Sequence, residues 1–145
     1  MKKRKKIRVL LVDDEATVRG TAGRVLERRG FHTMLAAGAS EAMDKLGEHP
    51  DVVVLDMKMP GMDGHEALRE IKRRDPGLPV IVLTGHGTLD SAKTAHREGA
   101  FEYLTKPCDM ELLTMKILDA CEERPRPGDA HQEGTYVSPK IRSGE

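Results

Sequence analysis

The sequence predicts an α/β domain: a doubly wound, five-stranded parallel sheet with helices on both faces. Three observations carry that prediction. Five short apolar runs of strand length recur along the chain, each is followed by a stretch with helical spacing, and Gly or Pro punctuates the joins. Strands joined through helices run parallel, and the returning helices cover the sheet on both sides.

In chain order, "IRVLLV" (7–12) is strand one. Val18, Ala22, Val25 and Leu26 follow at helical spacing, and Gly30 stops that helix. "FHTMLAA" (31–37) is strand two, with a weaker signal. Ser40 stands as the cap of a short helix carrying Ala42, Met43 and Leu46, which halts near Pro50. "DVVVLD" (51–56) is strand three, and its unbroken apolar run marks a strand buried on both faces. The third helix runs from His65 to Arg74 with Leu68 and Ile71 inward and Asp75-Pro76-Gly77 as its stop. "LPVIVLT" (78–84) is strand four, and Asp90 to Glu98 form helix four, ended by Gly99. Helix four has only Ala92, Ala95 and other small groups to bury, so weak packing is expected there. "AFEYLT" (100–105) is strand five, after which Leu112, Leu113, Ile117 and Ala120 mark an amphipathic helix over 109–123.

Three segments follow: a basic lead-in at 1–6, one domain at 7–123, and a disordered tail or linker stub at 124–145. The tail is rich in Pro, Gly and charge and has no periodicity. With 145 residues, 38% apolar and 33% charged, the chain is the size of one ordinary soluble domain. Its 24 basic and 24 acidic residues create no global field that would select nucleic acid. "KKRKK" (2–6) reads best as a solvated approach to strand one. No stretch nears the roughly 20 apolar residues of a membrane span. The N-terminus lacks the apolar core of a secretory signal. Cys108 and Cys121 match no zinc spacing and are too few for a disulfide framework. A cytoplasmic location is expected.

Ligands of open parallel sheets bind beyond the carboxyl ends of the strands. Strand one ends in Asp13-Asp14-Glu15, strand three in Asp56, strand four in Thr84 and strand five in Lys106. Clustered carboxylates repel unless a cation intervenes, and oxygen ligands with no Cys or His nearby suit Mg²⁺ (or Mn²⁺) rather than Zn²⁺. Lys106 supplies charge for an anion and Thr84 a hydroxyl donor. A carboxylate, a metal, an amine and a hydroxyl around one point make a phosphoryl-transfer arrangement in which Asp56 is the nucleophile.

"LLVDDE", "VVVLDMKMPGMDG", "VIVLTGHG" and "AFEYLTKP" together resemble a response-regulator receiver domain of the CheY-like type, over residues 7 to about 123. The resemblance implies a flavodoxin-like (βα)₅ fold with strand order 2-1-3-4-5. It implies a two-component phosphorelay in which Asp56 takes a phosphoryl group from a sensor histidine kinase or phosphotransfer protein. Asp13, Asp14, Asp56 and the backbone carbonyl of Lys58 would hold Mg²⁺. Lys106 would pair with the phosphate, and the Lys106–Pro107 bond would be cis. Thr84 would swing toward the aspartyl phosphate and Tyr103 would turn inward, changing the partner surface of helix four, strand five and helix five. A phosphorylation-dependent homodimer also fits. Such a domain catalyses only its own phosphorylation and dephosphorylation. With no output domain after the last helix, a protein target is expected rather than direct DNA binding.

Each of these residues also has a plainer role. Asp13-Asp14 could cap a helix, Thr84 and Asp56 could form turns, Lys106 could be surface charge, and Tyr103 could be core. Met57 and Met59 read as gap-filling, Met62 flanks them, and Pro60, Gly61 and Gly64 shape the turn before helix three. Among six scattered histidines, His86 is notable for lying two residues past Thr84. A haloacid-dehalogenase-like phosphatase would share the Asp, Mg²⁺, Thr and Lys, but it needs a second acid where Lys58 stands. A nucleotide-binding domain is disfavoured by the absence of a phosphate loop, and "GHGTLD" fails the dinucleotide fingerprint. A phosphate-independent interaction module would have no need of every acid, the Thr and the Lys.

Overall fold

The computed structural model describes residues 5–59, 61 and 63–123. Pro60, Met62, the start of the basic lead-in and the 124–145 tail lie outside the described residues. Strands β1 (Arg8–Val12), β2 (His32–Ala36), β3 (Val52–Leu55), β4 (Val80–Thr84) and β5 (Glu102–Thr105) form one parallel sheet in the order β2-β1-β3-β4-β5. Helices α1 (Ala16–Arg28), α2 (Ala39–Lys45), α3 (Gly64–Arg74), α4 (Leu89–Arg97) and α5 (Met110–Glu123) make the returns, and a 3₁₀ turn at Leu46–Glu48 extends α2. The order reverses between β1 and β3, which are paired with Val12 opposite Leu55. Their carboxyl ends therefore open a crevice at the rim.

Alternation along the strands builds two cores. Val53 and Leu55 face Leu68 and Ile71 of α3, Ala42 of α2 and Ala95 of α4. Val52 and Val54 face the other way, onto Leu26 of α1 and Leu113, Ile117 and Ala120 of α5. This is the period of two expected of a strand covered on both sides. Among the described residues no helix is long and apolar enough to cross a membrane.

Three local expectations are corrected. Ser40 lies inside α2, whose N-cap is Gly38 without a side-chain hydrogen bond. Val18 and Leu112 are 36% and 39% exposed rather than inward. For Val18 the reason is a narrow seam: α1 meets the sheet through Gly23 and Leu26, where a β-carbon on Gly23 would come within 3.2 Å of Leu35, whereas Leu112 lies beside the Leu113, Ile117 and Ala120 stripe that α5 buries. Apolar residues beside so thin a stripe stay at the edge. The helix-cap reading of Asp13-Asp14 also fails, because the N-cap of α1 is Glu15 and its first turn holds no acid.

Gly64 decides how α3 meets the sheet. Its N–H donates to the Met57 carbonyl at 3.1 Å, and a β-carbon there would lie 2.4 Å from the Met57 α-carbon. The obstacle is backbone, which cannot rotate away. Gly64→Ala should cost about 2 kcal/mol, as overpacking at a rigid site does. Urea unfolding would register it as a lower midpoint at unchanged slope.

Candidate functional site

The rim crevice is assembled by strand ends, and backbone bonds fix its parts. Asp13 follows β1, and its N–H donates to Ala36 of β2 at 3.1 Å; Asp56 follows β3, and its N–H donates to Val12 at 3.0 Å. Thr84 ends β4, and its carbonyl accepts from the Lys106 N–H at 2.9 Å. Parallel pairing thus brings residues remote in sequence to one edge with little freedom left.

Asp13, Asp56 and Thr84 are all buried, whereas Asp14 is exposed. Ligand oxygens of Asp13, Asp14 and Asp56 lie within 4.8 Å of one another. The Lys106 ammonium bridges two of them, 2.6 Å from Asp13 Oδ2 and 3.3 Å from Asp56 Oδ2. Burial works against that ammonium, but the hydrogen bond to Asp13 and the charges of Asp56 and Asp13 prevail, so the Lys106 pKa is raised. Three carboxylates against one ammonium leave a net negative pocket of hard oxygen donors. That donor set fits a divalent cation such as Mg²⁺.

The remaining carboxylate oxygens are tied to backbone. Asp13 Oδ1 accepts from the Glu15 N–H at 2.9 Å and Asp56 Oδ1 from the Lys58 N–H at 3.2 Å. These short loops aim both acids into the crevice. Thr84 Oγ1 accepts from the His86 N–H at 3.2 Å, so its hydroxyl is turned toward its own loop. The Lys106–Pro107 peptide is cis. Met57 and Met59 are buried in the core cluster as gap-fillers. Burial first, then the charge of Asp109, pushes the Cys108 thiol pKa up, which favours the neutral thiol.

The fold brings Asp13, Asp14, Asp56, Thr84 and Lys106 to one rim. Tyr103 stands apart on β5, half-buried, with its hydroxyl donating to Ser91 at 3.0 Å. Two participants escaped the sequence reading. Arg19 reaches back from α1 to donate to the Asp13 carbonyl at 2.7 Å, and its spacing alone looks like any solvent-facing charge. His65, rather than His86, is the histidine held in a polar network, bonded to both Glu98 and Ser91.

A doubly wound domain with an acidic pocket at its topological switch point defines a class of open α/β folds that bind their ligands beyond the strand ends. Within that class the response regulator receiver domain family model matches residues 9–118. The chain belongs to that family, whose domains are signalling modules of two-component systems. It is 38% identical over 124 residues to the DNA-binding transcriptional regulator NtrC of Klebsiella pneumoniae, which covers 83% of this chain and 26% of that protein. The chain therefore spans about a quarter of the length of such relatives. A receiver domain protein from Clostridium thermocellum superposes with a TM-score of 0.76 at 41% identity, covering 80% of this chain and 94% of that one. The beryllofluoride-activated NtrC4 receiver domain dimer gives a TM-score of 0.76 at 41% identity, covering 81% and 98%.

Proposed function

We propose that Asp56 is the phosphoacceptor of this receiver, taking a phosphoryl group from a phosphohistidine on a sensor kinase or phosphotransfer protein. The observation that carries this reading is the buried Asp56 carboxylate lying beside Lys106, within an acid cluster short of positive charge. One Asp56 oxygen attacks phosphorus, the P–N bond to histidine breaks, and the electron pair leaves with the imidazole. Held by Asp13, Asp14, Asp56 and the Lys58 carbonyl, Mg²⁺ would neutralise charge on the transferring phosphoryl oxygens. Lys106 supplies a second positive charge on the same side. Asp13 and Asp56 are pre-aimed by their backbone hydrogen bonds, so little reorganisation is needed on reaction.

Phosphorylation then draws the Thr84 hydroxyl away from the His86 N–H, and Tyr103 follows. This resets the surface of α4, β5 and α5 for a downstream protein. A shift from mostly off to mostly on needs about 5 kcal/mol of differential interaction, which a few charge-assisted hydrogen bonds supply. The activated NtrC4 receiver is a dimer, which supports a phosphorylation-dependent homodimer here too. NtrC carries its DNA-binding function in a much longer chain, and a protein contact is the output proposed for this domain. Action in the cytoplasm follows from the kinase partnership.

Incubation with acetyl phosphate and Mg²⁺, followed by intact-mass measurement, tests the reading. A gain of one phosphoryl group is expected, and chelation of the metal should abolish it. Rapid release of inorganic phosphate with no adduct would instead indicate a phosphatase, against which Lys58 already argues.

A further inference from the structure

Helix α4 is attached in an unusual way. Ser91, Ala95 and Glu98 recur at i, i+4 and i+7, which places them on one face, and Ala95 is the buried apolar residue of the helix. Hydrogen bonds take the place of an apolar seam. His65, in the first turn of α3, spans two turns of α4: Nδ1 lies 2.8 Å from Glu98 Oε1 and Nε2 lies 3.0 Å from Ser91 Oγ. Arg69 holds the other Glu98 oxygen. Ser91 Oγ in turn accepts from the Tyr103 hydroxyl at 3.0 Å.

The donors and acceptors form a continuous chain. Tyr103 donates to Ser91, and in the tautomer that carries its proton on Nδ1 the Ser91 hydroxyl donates to His65 Nε2 and His65 Nδ1–H donates to Glu98. A ring protonated on Nδ1 alone satisfies every member. The chain ends beside the loop that follows Thr84. A β-carbon on Gly87 would sit 2.8 Å from Thr105 Cγ2 and 3.2 Å from Tyr103 Cε1, so that loop packs closely against β5 and the tyrosine ring. The Thr84 hydroxyl is meanwhile engaged by its own loop at His86.

We propose that His65 and Ser91 are positioning residues that act through Tyr103, latching α4 and the tyrosine in the resting arrangement. The proposal rests on the reading of Asp56 as phosphoacceptor, because phosphorylation is what must break the Tyr103–Ser91 bond. By linkage, a bond present only in the resting arrangement lowers the apparent affinity for a phosphoryl group, and its removal raises that affinity.

The full chain contains two tyrosines, so a Tyr136→Phe background makes Tyr103 the sole reporter. In that background His65→Ala, Ser91→Ala and the hydroxyl-retaining Ser91→Thr are compared by nuclear magnetic resonance. Ring signals of Tyr103, and of the His65 nitrogens where His65 is kept, are read first without any phosphoryl analogue. Beryllofluoride is then titrated at fixed Mg²⁺. Both alanine variants should shift the Tyr103 signals at the outset and reach half-saturation at about fivefold lower beryllofluoride. Ser91→Thr should behave as the parent, with His65 keeping the Nδ1–H tautomer. Tyr103 signals unmoved in His65→Ala, or alanine variants saturating at parental concentration, would overturn the latch. A parent that binds no beryllofluoride would refute the role of Asp56 instead. The tyrosine and histidine signals, which need no analogue, would still judge the hydrogen-bonded chain.

Discussion

Asp56→Asn should keep its unmodified mass after incubation with acetyl phosphate and Mg²⁺, while the parent protein gains one phosphoryl group. The amide has neither the charge nor the free lone-pair basicity to attack phosphorus, so loss of uptake should be complete rather than partial. Loss of folding would be a trivial cause, and the geometry argues against it. Lys106 keeps its shorter contact, 2.6 Å to Asp13, and an amide oxygen can still accept from the Lys58 N–H. Neutralising one of three clustered acids also relieves repulsion. Stability should therefore change by no more than about 1 kcal/mol. A variant that still takes up the group at this stability would move the acceptor elsewhere.

Lys106→Met should have the second large effect, and it should depend on metal. The substitution keeps a long unbranched stem but leaves Asp13 and Asp56 buried without their counter-charge. Removing one member of a buried pair costs about 3 to 5 kcal/mol. Here the lower end applies, because 22% of the lysine side chain reaches solvent. In metal-free buffer, urea unfolding should show a loss of about 3 kcal/mol. Lysine and a divalent cation answer the same negative charge, so the variant should bind Mg²⁺ more tightly than the parent. Added Mg²⁺ should then raise its melting temperature by more than it raises the parent's. Equal stabilisation of the two proteins would separate the lysine from the cation site. Even with metal restored, phosphoryl uptake should stay impaired, since a bound cation does not replace the ammonium on its side of the phosphate.

The central strands were legible because burial on both faces demands unbroken apolar runs such as "VVVL", which little else in a soluble chain produces. The acids, Thr84 and Lys106 were legible for a related reason. Each stands at or just past the carboxyl end of a strand, and a parallel sheet delivers all its strand ends to one rim. Helix surfaces were harder to read. Val18 and Leu112 satisfy helical periodicity, yet both remain substantially exposed, because spacing reports a face and not how wide the seam beneath it is. Ser40 is a good capping residue placed two positions too late, and Gly38 takes the cap through its backbone.

Polar contacts that helix side chains make with other elements were not legible at all. Arg19, His65 and Glu98 are unremarkable residues until α1, α3 and α4 are placed, and no local pattern separates them from solvated charge. The same holds for Gly64, whose role comes from the 2.4 Å approach of Met57 backbone and not from any unusual torsion of its own. Order along the chain determined the architecture, the receiver family and the set of groups at the rim, because apolar periodicity and strand-end position are local properties. Only the tertiary structure decided that Lys106 bridges Asp13 and Asp56, and that α4 hangs on a hydrogen-bonded chain from His65 to Tyr103. Such contacts depend on distances between elements, and those are settled by packing rather than by any single segment.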